Sequence, residues 1–104
     1  MTDWLSVRSD AIQAAQGVLG GACNAASAGA TAQITQLTQT AQYIEENSGS
    51  MTSDESQFLM TQQKTALQNV LTAYASIAIA AAINTVNAVV NKILSDAPAL
   101  VGLI

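Results

Sequence analysis

Two stretches of this chain, Ala11 to Ile44 and Thr65 to Asn91, contain no charged side chain, and together they make up more than half of its 104 residues. Uncharged segments of that length, rich in Ala and aliphatic residues, stay in solution only when most of their apolar surface is covered. Their spacing decides between helix and strand. In the second stretch Ile79, Ile83, Val86, Val90 and Ile93 step by 4, 3, 4 and 3, a helical heptad row. Leu67, Val70, Leu71, Tyr74 and Ile77 form a broader stripe ahead of it. In the first stretch Ile34, Leu37, Ala41 and Ile44 step by 3, 4 and 3, interleaved with Gln33, Gln36, Gln39 and Gln42. Nearer the start, Trp4, Leu5, Ile12, Ala15 and Leu19 share one side of a helix that Thr2 or Asp3 would cap.

Between the uncharged stretches lies the polar block Glu45 to Glu55. Gly49 there predicts a left-handed helix end, and Thr52 with Glu55 three residues on has the spacing of a capping box. Asp54 and Glu55 suit the positive end of the following helix. Neither Gly nor Pro then occurs between Ser50 and Pro98, so one helix over 53–95 is expected, roughly 60 Å long at ~1.5 Å per residue. Gly17, Gly21, Ala25 and Gly29 recur every fourth position. On a helix they would form a close-packing seam of small residues, whereas as a loop they would be a flexible connection. The fold class that follows is all-α: a helical hairpin with a long C-terminal helix, two to three helices in one domain, 1–104. Its expected parts are helix 3–19, a small-residue helix or loop 20–30, helix 31–46, turn 47–52, long helix 53–95 and an apolar tail 96–104.

Composition removes most classes of chemistry. There is no His and one Cys, Cys23, set among Gly and Ala, so a transition-metal or haem centre is not expected and no cofactor is implied. Arg8, Lys64 and Lys92 stand against seven carboxylates, a net charge of −4, which provides no footprint for nucleic acid or anionic lipid. The paired carboxylates Glu45–Glu46 and Asp54–Glu55 flank the turn, where solvation and capping account for them. No His is present to activate a Ser, and Gly17 to Gly21 lacks the Lys-Ser/Thr of a phosphate loop. The expectation is a non-enzyme with no small-molecule substrate. The start Met1-Thr2-Asp3-Trp4 has neither the basic residues nor the apolar run of a cleaved signal. Export to the outside or the cell surface by another route is expected, with a cytoplasmic or membrane-associated location as the alternative. The longest unbroken apolar run, Ile77 to Ile83, falls well short of the ~20 residues of a membrane span.

A helix apolar round most of its circumference needs protein or lipid about it. From Ile77 to Val90 the helix is apolar nearly all round apart from the row that Asn84 and Asn87 form with Asn91, and a hairpin cannot cover it alone. The expected partner is a second copy of the chain, with Ile77, Ile79, Ile83, Val86, Val90 and Ile93 as the assembly interface and the Asn row a solvated strip, a ladder fixing register or the lining of a lumen. The apolar tail Leu100 to Ile104 adds to the surface available. Two other readings use the same surface: a membrane-active pore former or translocator meeting lipid, and a helical adaptor or chaperone binding one protein. An ordinary Ala-rich bundle is the reading with no special function.

The layout resembles the small subunits of bacterial type III secretion needles, inner rods and related filaments. The residues that carry the likeness are Trp4-Leu5, the polar turn Asn47 to Ser53, and Phe58-Leu59, Leu67, Tyr74, Ile83 and Ile93-Leu94 of the last helix. The resemblance implies a structural subunit that self-assembles through its C-terminal helix into a filament or tube around a narrow channel. Unlike those subunits, this chain has no Pro in its turn, and Pro98 with an apolar tail follows its last helix. A fainter likeness is to the acidic, hundred-residue helical hairpins exported by type VII systems, whose Trp-x-Gly turn is missing.

Overall fold

Asp3 starts the first helix by accepting hydrogen bonds from the Ser6 backbone N–H at 3.3 Å and the Ser6 hydroxyl at 2.9 Å. In the computed structural model, which describes residues 2–20, 23–102 and 104 and the side chains of these except 23–27, α1 runs Trp4–Leu19. It buries Val7, Ala11, Ala15 and Leu19, one residue per turn, and leaves Leu5 exposed. It ends at Gly20, whose φ of +55° is a conformation that side-chain-bearing residues rarely take. Helix α2, Cys23–Glu46, settles the small-residue segment: 23–30 is helix. Its buried stripe is the expected one, Ile34, Leu37, Ala41 and Ile44, joined by Thr38, whose hydroxyl donates to the Ile34 carbonyl at 2.8 Å.

The turn after α2 needs no left-handed residue. Gly49 does not take a positive φ, contrary to expectation, because Asn47 ends the helix itself: its backbone N–H and Nδ2 both donate to the Tyr43 carbonyl, at 3.0 and 2.8 Å. The capping box forms as spaced, with Glu55 N–H donating to Thr52 Oγ1 at 3.1 Å and Thr52 N–H to Glu55 Oε1 at 3.2 Å. It opens α3, Ser53–Thr72.

The single helix expected over 53–95 is two helices. Helix α3 stops at Thr72, the chain reverses through 73–78, and α4 runs Ile79–Asp96. The architecture is therefore four helices rather than a two- or three-helix hairpin. The reversal uses only common backbone conformations: Ala73 is right-handed helical and Ala78 is extended, with Tyr74 N–H donating to the Leu71 carbonyl and Ile77 N–H to that of Tyr74. What favours the break is burial. Folding back lets α4 cover α1 with Ala82, Val86, Val89 and Ile93, and tucks Ile77 into the core.

Ala78 has the extended backbone of an N-cap but no side chain to accept a hydrogen bond. Ala78→Ser is expected to add about 1 kcal/mol of stability. Thermal unfolding followed by circular dichroism should show a Tm higher by roughly 4 °C.

Consecutive helices are neighbours, and α1 closes on α4; α1 with α4 and α2 with α3 make the most extensive pairings. Helices α1 and α2 are antiparallel, the Thr2 hydroxyl donating to Glu45 Oε2 at 2.9 Å. So are α2 and α3, where Gln33 Nε2 donates to Gln63 Oε1 at 2.8 Å and Gly29 lies against Val70 and Tyr74. The tail is not free either. Pro98–Leu100 forms a short 3-10 turn against α2 and α4 with Leu100 fully buried, and Ile104 packs partly on the core. A radius of gyration of 13.2 Å matches the ~13 Å of a folded domain this long.

Candidate functional site

The six residues expected to form one interface divide in the folded chain. Ile77, Val86 and Ile93 are buried within it, so three of the row already serve its own core. Val90 is half-buried. Ile79 and Ile83 face outward, 67% and 41% exposed. The buried face of α4 is rotated from the Ile row toward Ala82, Thr85 and Val89, since small residues on α4 and Ala11 and Ala15 on α1 let the two backbones come close. Thr85 is accommodated there because its hydroxyl donates to the Ala81 carbonyl at 2.7 Å. Asn84, Asn87 and Asn91 are all exposed, a continuous polar strip beside Ile79 and Ile83.

The small-residue seam is only partly described. Gly17 is exposed with open space where a Cβ would stand. Gly29 is closely packed: a Cβ there would come within 3.3 Å of Val70 Cγ1 and 3.6 Å of Tyr74 Oη. Gly21 and the side chains of Ala25 and Cys23 lie outside the described residues.

A groove of about 670 Å³ lies between the start of α1 and the second half of α2. Trp4, Leu5 and Arg8 line one wall, and Thr38, Gln42 and Glu45 lie on the other. It holds one cation, Arg8, among the acids Asp3, Glu45 and Glu46 and the amides Gln39 and Gln42. Leu5 at its rim is 72% exposed, and across α2 the side chains of Tyr43 and Phe58 (62% exposed) flank a shallow cleft with Met51 and Leu59. The exposure of Phe58 was available from phase. It lies two residues, about 200°, from Ser56 on the buried row Ser56, Met60, Leu67, Leu71. Among the described residues no group of three or more His, Cys, Asp or Glu side chains could hold a metal ion, and no helix is long and apolar enough to cross a membrane.

All ten charged side chains fall on one half of the bundle. The antiparallel pairings bring the start of α1 (Asp3, Arg8, Asp10) beside the end of α2 (Glu45, Glu46) and the start of α3 (Asp54, Glu55), with Lys64 at the boundary. Asp96 meets Asp10, so the end of α4 (Lys92, Asp96) joins them. The other half of the fold, built from the end of α1, the start of α2, the end of α3 and the start of α4, carries no charged side chain.

Within the charged half, Asp96 is unusual. Lys92 Nζ lies 3.7 Å from its Oδ1, while its Oδ2 is buried with no N–H or O–H donor among the described residues. A side-chain hydrogen bond links the Asp96 carboxyl to that of Asp10. That hydrogen bond with Asp10, and then burial, raise Asp96 above the ordinary 3.8, against the pull of Lys92. The folded chain therefore binds a proton at Asp96 more readily than the unfolded chain. The stability it contributes is complete below 3.8 and is lost as pH rises through the raised value. Asp3 runs the other way. Hydrogen bonds from the Ser6 side chain and then its backbone lower it, so its contribution is present above 3.8 and lost as pH falls through the lowered value. Asp96→Asn should flatten the gain in Tm on acidification from about pH 7 to about pH 4, read by thermal melts across that range.

No protein-family model, no curated protein and no solved structure matches this chain.

Proposed function

We propose that this protein is a non-enzymatic structural subunit that works by associating with copies of itself. The observation that carries the reading is the outward-facing flank of α4. Ile79 and Ile83 remain exposed after the chain has buried Ile77, Val86 and Ile93 and half-buried Val90, and the uncharged strip Asn84, Asn87, Asn91 lies beside them. An exposed aliphatic pair bordered by amides offers a contact core with a hydrogen-bonding edge, the composition of a protein–protein interface. A filament or tube of a bacterial secretion apparatus, outside the cell or on its surface, is the assembly that the resemblance implies. Reaching it takes a second contact besides this one wherever this one pairs a surface with itself and closes.

Sedimentation velocity over a wide concentration range, with negative-stain microscopy of the same samples, tests this. The expected result is concentration-dependent growth beyond the monomer. A single monomeric species at every concentration overturns the proposal.

A further inference from the structure

The distribution of charge constrains how two copies can meet. We infer that a second copy of this chain packs against the charge-free half, over the first turns of α4 and the 73–78 reversal, with the charged halves of both copies pointing apart. This rests on the self-association proposed above and adds its geometry.

Each copy carries a net charge of −4, and its seven carboxylates sit on the half that holds Asp10, Glu45 and Asp96. Copies aligned side by side in parallel would bring those halves together. Copies aligned head to tail would desolvate carboxylates against a surface with no cation to pair them. Meeting through the charge-free halves avoids both. The molecule is 42 Å long, so the acidic halves then stand several screening lengths apart, each being ~8 Å at physiological salt.

Size fixes the contact further. Across its long axis the molecule spans only 24 × 18 Å, too little for one end alone to supply the ~800 Å² per partner of a stable interface. The contact must therefore run up the side of the bundle as well as across its end. On α4 that side presents Ile79 and Ile83, with exposed Ser76, Ala80 and Asn84 around them and no charge. A two-fold axis through this surface sets each copy's Ile79 and Ile83 against the other's.

Two substitutions at Ala78 separate folding from contact. Ala78→Ser and Ala78→Asp both supply the missing N-cap, so both variants fold at least as well as the parent. Only the Asp variant places like charges opposite each other at the contact. By sedimentation, Ala78→Ser should associate like the parent, and Ala78→Asp should raise the dissociation constant at least ~10-fold, with part of the loss recovered in about 500 mM NaCl. Gln57→Asp, exposed on the charged half, should change nothing. The parent's own dissociation constant should vary less than ~3-fold between about 20 and 500 mM NaCl. The inference is overturned if Ala78→Asp associates as Ala78→Ser does, if Gln57→Asp is the variant that weakens association, or if salt strongly strengthens the parent. A parent that is monomeric throughout overturns the self-association itself, a distinct result.

Discussion

Ile93→Asp is expected to unfold this protein, and Ile79→Asp to leave it folded but unable to associate. Both residues belong to one heptad row, so the sequence treats them alike. In the structure Ile93 is fully buried, whereas Ile79 is 67% exposed at the first position of α4. At position 93 the substitution removes an aliphatic side chain worth ~2–5 kcal/mol in the core. It also leaves an unpaired carboxylate there, costing about another 3–5 kcal/mol. Their sum rivals the whole stability of a small domain, ~5–15 kcal/mol. At position 79 the same carboxylate meets water and the positive end of a helix, which tolerates it. Far-UV circular dichroism and urea titration should show Ile93→Asp unfolded without denaturant and Ile79→Asp within about 0.5 kcal/mol of the parent. Sedimentation should find Ile79→Asp monomeric. A folded Ile93→Asp protein would refute the packing described for α4. Parent-like association of Ile79→Asp would refute the interface.

Leu100→Ala should be the most damaging conservative change in the tail. Leu100 is fully buried in the short turn that rests on α2 and α4, while its neighbour Val101 is two-thirds exposed. Truncation at 100 leaves a cavity costing ~2–5 kcal/mol, a fall in Tm of roughly 10–20 °C. Val101→Ala should move Tm by no more than about 2 °C. Equal and small effects of the two substitutions would mean that the tail does not close the bundle.

What could be read from the sequence follows the range of the forces involved. The Thr52–Glu55 capping box and the Ile34–Ile44 stripe are local and stand where spacing put them, and of the two caps open to the first helix, Thr2 or Asp3, it is Asp3 that forms. The reversal at 73–78 was not legible, because Ala73 and Ala78 take conformations open to any residue and no Gly or Pro marks the place. It forms because α4 gains a partner in α1, a long-range effect. The phase of α4 was misjudged for a related reason. Ala82 and Thr85 weigh little against an Ile row on any hydrophobicity scale, yet where two helices approach closely, small side chains are the core. That Asn84, Asn87 and Asn91 share one flank was legible from their spacing; their exposure on the folded chain was not, since the same spacing suits a solvated strip, a buried ladder or the lining of a lumen. The tail misled through its composition, since an apolar end reads the same whether it is loose or folded under.

The segregation of charge along the long axis makes the molecule a strong permanent dipole as well as an anion. On a cationic resin or electrode it should adsorb in one orientation, acidic end down, leaving the neutral end and the α3–α4 reversal facing the bulk solution. Coupling through surface carboxylates would tether it the same way round, so an immobilised layer would present one uniform face to whatever flows past.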